Sequence, residues 1–180
     1  MALLKRLAQM IGLEAPLTNI VAGGTAPAFS LKALDASEYS LQMLLEKGPV
    51  VLAFFKISCP VCQFTFPFLE RIHERYAGNG VSVIGISQDD ARSTKAFNQE
   101  YGVKFPTLLD DHGYPVSNAY GLSNVPTVFL VASDGRVKVS GTGFSKDDLE
   151  KIASELALHR KISATPLFRP DESVPAYKPG

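Results

Sequence analysis

A run of six apolar residues, VVLAFF at Val50–Phe55, constrains the fold of this chain more than any other feature. The run is entered through Gly48-Pro49, and its length and content of Val and Phe predict a central strand buried on both faces. A second run of this kind lies at 81–87, after a predicted helix over Pro60–Tyr76. Strands that alternate with helices indicate a mainly parallel sheet.

The rest of the chain continues this alternation. Further strands are predicted at 29–34, 107–109, 126–131 and 136–140, and further helices at 41–46, 91–101, 115–120 and from Ser145 to Lys161. Asp134-Gly135 separates the last two strands and is typical of a hairpin turn, which adds an antiparallel edge. The predicted fold is therefore an α/β, three-layer α/β/α sandwich with a mixed central sheet.

The two ends differ in character from this central part. Residues 1–22 are predicted as an amphipathic helix and linker, which caps the domain in preference to anchoring it at a membrane surface. Residues 23–162 form the predicted domain. The Pro-rich tail, 163–180, lacks periodicity and is predicted to be an extended strap over the domain, or partly disordered.

Composition and charge exclude several classes of protein. Lys plus Arg and Asp plus Glu each number 18, so no bulk field attracts nucleic acid or an anionic membrane. No apolar run approaches the roughly 18 residues that span a bilayer, so no transmembrane segment is expected. The apolar stretch after Lys5 and Arg6 is short and broken, which argues against a signal peptide and favours a cytoplasmic location.

The cysteines point to redox chemistry. There are two, Cys59 and Cys62, both in the run SCPVC, which excludes a disulfide-stapled scaffold. A helix predicted to begin just after Cys59 places its sulfur at a helix N-terminus, where free N–H groups and the dipole stabilise a thiolate. Cys59 is the predicted nucleophile, and Cys62 is predicted to attack the resulting mixed disulfide. No cofactor is expected beyond this redox-active disulfide.

Half of a zinc site is the alternative interpretation of the pair. A structural zinc ion takes about four ligands. The chain has no second CxxC, and its three histidines stand at no ligand spacing. No metal is therefore expected.

Four blocks in order resemble the TlpA-like and redoxin (AhpC/TSA-like) branch of the thioredoxin superfamily, over roughly residues 24–160. They are APAFSL at 26–31, VVLAFFKISCPVCQFTFP at 50–67, VSVIGISQDD at 81–90 and YGLSNVPTVFLVASDGRV at 120–137. The resemblance implies a thioredoxin-like fold and a thiol–disulfide oxidoreductase. Its implied partners are protein or small-molecule thiols and disulfides, with a thiol system that donates or accepts electrons. Most relatives of this type are exported, which makes a periplasmic location the alternative to the cytoplasm.

The resemblance also implies supporting roles around the cysteines. The Val125-Pro126 bond is expected to be cis, to lie against the cysteines, to expose the Val125 backbone to an extended substrate and to keep metals away. Pro60 and Val61, between the cysteines, contribute no charge to the thiolate. Lys56 either stabilises a thiolate or lies at the surface.

The chain departs from the family pattern at two positions. Ser58 replaces the usual Trp, and is expected to cap the helix in preference to donating a hydrogen bond to the thiolate. Ala53 replaces the buried Asp of thioredoxins proper. Asp89 or Asp90 could substitute for that acid, although solvation or capping of the following helix is the simpler interpretation.

Two other functions remain open at this point. The APAFSL and GISQDD blocks also resemble peroxiredoxins, so a thiol peroxidase is one alternative. Lys56 and Leu52 occupy the positions where peroxiredoxins carry Thr or Ser and Pro, which argues against it. A non-enzymatic adaptor or metal-handling module is the other.

Overall fold

The computed structural model describes residues 19–180. The predicted N-terminal amphipathic helix lies outside the described residues. No helix within the described part of the chain is long and apolar enough to cross a membrane.

A five-stranded mixed sheet forms the centre of the molecule, in the order β5-β4-β3-β6-β7. The strands of the described chain are β1 (Ser30–Lys32), β2 (Glu38–Ser40), β3 (Val50–Phe55), β4 (Ser82–Ser87), β5 (Thr107–Leu109), β6 (Thr127–Val131), β7 (Val137–Thr142), β8 (Phe144–Ser145) and β9 (Tyr177–Lys178). The helices are α1 (Leu41–Leu45), α2 (Pro60–Tyr76), α3 (Ala91–Glu100), α4 (Pro115–Ala119) and α5 (Lys146–Arg160). Strands β3, β4 and β5 are parallel, whereas β6 and β7 are antiparallel to their neighbours.

Strand β3 separates two hydrophobic cores, because successive side chains of a strand point to opposite faces. Val51, Ala53 and Phe55 pack with residues of α2, α3 and α5 on one face. Val50, Leu52 and Phe54 pack with α1, α4 and the N-terminal strands on the other face. All six residues of β3 are fully buried, which confirms the strand predicted from the apolar run and the three-layer arrangement.

The predicted elements are confirmed, with small shifts at their ends. The first predicted strand, 29–34, is shorter in the structure because only Ser30–Lys32 pairs with β2, a strand that was not predicted. Pro126 and Arg136 lie just outside β6 and β7. Helix α2 continues through Pro67, which is exposed on it.

The C-terminal tail is an extended strap that follows the surface of α2 and α5. Leu167 and Phe168 are buried in the core formed by these helices. Arg71 on α2 forms a two-pronged ion pair with Glu172, with N–O distances of 2.9 and 2.7 Å. Strand β9 then pairs with β8, and Asn124 Nδ2 donates to the Gly180 carbonyl at 3.4 Å, so the last residue lies beside the loop before β6.

Candidate active site

Cys59 directly precedes the first residue of helix α2. It is the N-cap residue, with extended backbone angles, and its sulfur accepts a hydrogen bond from the Cys62 amide at 3.2 Å. Pro60 follows at the first helical turn, where the N–H that proline lacks would have no intrahelical partner. Ser58 is therefore not the cap, contrary to expectation: Pro60 starts the helix, so the residue directly before it has the capping geometry, and a thiol takes the place of the hydroxyl.

The two cysteines differ sharply in environment. Both are free thiols; Cys59 is half-buried, whereas Cys62 is fully buried. Burial raises the pKa of the Cys62 thiol, and its hydrogen bond with Cys59 raises it further. Cys62 therefore stays protonated at neutral pH while the Cys59 sulfur faces the helix N-terminus and solvent.

The second side of the site comes from the segment before β6. The Val125-Pro126 bond is cis, and the Cys59 thiol donates a hydrogen bond to the Val125 carbonyl at 3.3 Å. Two hydrogen bonds hold this loop: Thr127 Oγ1 donates to the Asn124 carbonyl at 2.8 Å and the Gly143 amide donates to the Pro126 carbonyl at 2.7 Å. The fold thus brings together Cys59 and Val125, which are 66 residues apart.

Asp89 and Gln63 hold the turn between β3 and α2. The Ile57 amide donates to Asp89 Oδ2 at 2.8 Å, and Gln63 Nε2 donates to the Ile57 carbonyl at 2.9 Å. Asp89 lies near Cys62, and its negative charge adds a small further increase to the pKa of that thiol. The role of Gln63 in holding this turn was not predicted from the sequence. The one signal for it is its position four residues after Cys59, in the first turns of α2.

Asp90 serves a different purpose. Its carboxylate caps α3 by accepting the Ser93 amide at 2.9 Å, as the simpler of the two interpretations predicted. Of the two acids considered, only Asp89 contacts the turn that carries the cysteines.

The remaining predicted site residues surround the dithiol. Ser58 and Pro60 are exposed, and Val61 is half-buried against the core beneath α2. Lys56 is half-buried, with its ammonium 5.3 Å from the centre of the Tyr114 ring. Residues 19–180 contain no group of three or more His, Cys, Asp or Glu side chains placed to hold a metal ion.

The fold and the dithiol at the helix N-terminus define a thiol–disulfide oxidoreductase of the thioredoxin superfamily. The AhpC/TSA family model matches residues 22–140, and the chain belongs to this family.

Three relatives illustrate the range of similar proteins. The thiol-disulfide oxidoreductase ResA of Geobacillus thermodenitrificans is 31% identical over 136 residues, which cover 74% of this chain and 77% of that protein. The structure of DsbF from Mycobacterium tuberculosis is 28% identical with a TM-score of 0.63, covering 76% of this chain and 99% of the other. The peroxidoxin BcpB of the same organism is 25% identical with a TM-score of 0.64, covering 81% and 99%.

Proposed function

We propose that this chain exchanges disulfides with thiol partners, with Cys59 as the nucleophile and Cys62 as the resolving thiol. The observation that carries the proposal is the asymmetry of the pair. The sulfur of Cys59 is accessible and accepts an amide hydrogen at a helix N-terminus, whereas Cys62 is fully buried directly behind it. An incoming disulfide can reach only the first of these sulfurs.

The reaction then proceeds in two exchange steps. The Cys59 thiolate attacks one sulfur of the partner disulfide, forms a mixed disulfide and releases the other sulfur as a thiolate. Cys62 gives up its proton and attacks the Cys59 sulfur, which releases the second partner thiol and leaves the Cys59–Cys62 disulfide. Two electrons pass from the dithiol to the partner, and the reverse sequence oxidises a partner dithiol.

The surrounding residues support these steps without taking part in bond exchange. The carbonyl of Val125, at the cis Val125-Pro126 bond, lies beside Cys59 and offers a backbone acceptor to an extended substrate segment. Pro60 starts the helix, while Ser58 and Val61 form the surface around the sulfur that a partner contacts.

Insulin reduction by the pre-reduced protein tests the assignment. We expect the Cys59→Ser protein to be inactive, and the Cys62→Ser protein to accumulate a mixed disulfide that mass spectrometry detects on Cys59. The two variants are matched controls for each other, since each retains one thiol. Full activity of Cys59→Ser, or a partner trapped on Cys62, would refute the roles proposed here.

A thiol peroxidase is the second candidate, because the AhpC/TSA family model matches and BcpB is named a peroxidoxin. Lys56 and Leu52 oppose it, since both the hydroxyl that would orient a peroxide and the proline are absent from their positions. Rapid stoichiometric consumption of hydrogen peroxide by the reduced protein would favour the thiol peroxidase over the disulfide oxidoreductase.

A cytoplasmic location remains a prediction from the sequence, and cell fractionation tests it.

A further inference from the structure

A polar cavity of about 270 Å³ lies next to the dithiol. Lys56 and Gln88, which directly follow β3 and β4, line one side, and Tyr114, Asn118 and the Asn124–Val125 segment line the other. The cavity thus lies at the carboxyl ends of two parallel strands, the edge at which open α/β sheets bind their ligands.

Lys56 is the one charged side chain among the described residues that line this cavity. No carboxylate within residues 19–180 pairs with it at 4 Å or less. Its ammonium lies 5.3 Å from the centre of the Tyr114 ring, whose residue has a left-handed backbone (φ 54°). A lysine ammonium has three N–H donors, and its contact with an aromatic face is not a hydrogen bond to an acceptor atom. Donors therefore remain for a ligand.

The other polar groups that line the cavity are neutral, and two acids outside the lining, Asp110 and Asp89, accept hydrogen bonds from other residues. Asp110, behind the wall, accepts the Ser117 hydroxyl at 2.7 Å and the Ser117 and Val116 amides at 2.8 and 3.1 Å. Asp89 accepts the Ile57 amide. Lys56 therefore presents the one charge that faces the cavity directly, and no carboxylate of the described chain takes up its N–H donors, which favours an anionic ligand group.

The position of the cavity links this cation to the redox centre. Val125 lines the cavity, and its carbonyl accepts the Cys59 thiol at 3.3 Å. A ligand whose sulfur faces Cys59 therefore has its neighbouring atoms at the mouth of the cavity. The volume is slightly below the range of about 300–1,000 Å³ typical of small-molecule sites, which suits one end of a small ligand better than a protein segment.

We propose that Lys56 and this cavity bind a carboxylate of a low-molecular-weight thiol or disulfide, so that its sulfur is presented to Cys59. This assignment rests on the function proposed above and names its substrate class. In the reducing direction, Cys59 forms a mixed disulfide with one half of the ligand and releases the other half as a thiolate. Attack by Cys62 then releases the second half, and the two electrons come from the Cys59–Cys62 dithiol.

The test compares an anionic with a neutral disulfide. Second-order rate constants are measured for the pre-reduced protein with glutathione disulfide and with 2-hydroxyethyl disulfide, and their ratio is the readout. Any effect of Lys56 on the reactivity of Cys59 itself is common to both substrates and cancels in the ratio. Lys56→Met removes the charge, Lys56→Arg keeps it, and Lys47→Met removes an exposed lysine that precedes β3 at the opposite edge of the sheet.

We expect Lys56→Met to lower the ratio about tenfold, the scale of one charge-assisted contact, and Lys56→Arg and Lys47→Met to keep it within about twofold of the wild type. An unchanged ratio in Lys56→Met would refute the subsite while leaving the oxidoreductase function in place. No reaction of the wild type with either disulfide or with insulin would instead refute that function. If insulin reduction falls in Lys56→Met as much as the reaction with glutathione disulfide, while 2-hydroxyethyl disulfide reacts at the wild-type rate, the cation contacts acidic protein substrates and the small-ligand assignment is wrong.

Discussion

Replacement of Asp89 tests how the turn before Cys59 is held. Oδ2 of Asp89 accepts the Ile57 amide at 2.8 Å, in the middle of the turn that joins β3 to α2. The Asp89 amide in turn donates to Ser87 Oγ at 3.1 Å, which fixes the acid at the end of β4. Asp89→Ala leaves the half-buried Ile57 amide without its partner, whereas Asp89→Asn retains an oxygen acceptor and loses only the charge.

The structure sets the size of these effects. A hydrogen bond to a charged group contributes about 1.5–3 kcal/mol to stability. We therefore expect Asp89→Ala to lower the free energy of unfolding by about 2 kcal/mol, and Asp89→Asn by about half of that, because a neutral hydrogen bond is weaker. The negative charge of Asp89 also contributes, after burial and the bond to Cys59, to the raised pKa of Cys62. Asp89→Asn should therefore lower the pKa of Cys62.

Urea denaturation measures the first effect, and the pH dependence of Cys62 alkylation in a Cys59→Ser background measures the second. Asp90→Asn is the matched control, since Asp90 caps α3 and makes no hydrogen bond to the turn. A free energy of unfolding of Asp89→Ala within about 0.5 kcal/mol of the wild-type value, the range of an ordinary surface substitution, would refute the role of Asp89 in holding the turn. Equal shifts of Cys62 alkylation in Asp89→Asn and Asp90→Asn would refute the effect of its charge on Cys62.

Three further predictions concern accessibility, pH and the tail. Iodoacetamide should modify Cys59 before Cys62 in the native reduced protein, because Cys62 is buried and its pKa is raised. This difference in rate should vanish in urea. Mass spectrometry measures the modification of each cysteine, and equal rates in the native protein would contradict the prediction. The ion pair with Arg71 and the Arg169 amide lower the pKa of Glu172 from 4.5 to about 2, so its stabilisation is complete above pH 4.5 and is lost as pH falls toward 2. Denaturation across this window should show a shallower loss for Glu172→Gln, and an identical loss would refute the coupling. Phe168→Ala, which removes a ring that is 5% exposed, should cost about 3 kcal/mol and speed proteolysis of the tail, and an unchanged urea midpoint would contradict it.

Local signals in the sequence predict the central fold and the position of the dithiol. The apolar run of β3 and the proline after Cys59 each act over a few residues, so the strand, the turn and the start of α2 follow from the sequence alone. The capping residue was assigned wrongly for a local reason as well. Ser58 is the stronger capping type, but Pro60 at the first helical position assigns the cap to Cys59.

Contacts between distant parts of the chain could not be predicted in this way. The Ile57 amide reaches Asp89 across 32 residues, and Arg71 reaches Glu172 across 101. No periodic pattern in the sequence indicates either contact, because each contact depends on how separate elements pack against one another. Strand β2, which was not predicted, has three residues, too few for an alternating pattern to be distinguished from a loop.

The difference between the two cysteines follows from the core stripe of α2. Residues three and four apart lie on the same face of a helix, and Cys62, Phe66 and Leu69 are all fully buried. Cys62 therefore begins the stripe that packs α2 against the sheet, and the requirement for a core places its sulfur inside. Cys59, three residues earlier, packs only partly against this core because it lies at the open end of the helix, before the first helical residue, and its sulfur is half-buried beside Val125. Two residues between the cysteines thus put one thiol in the core and leave the other half-buried, and this asymmetry, which comes from the packing of α2, favours Cys59 as the proposed nucleophile.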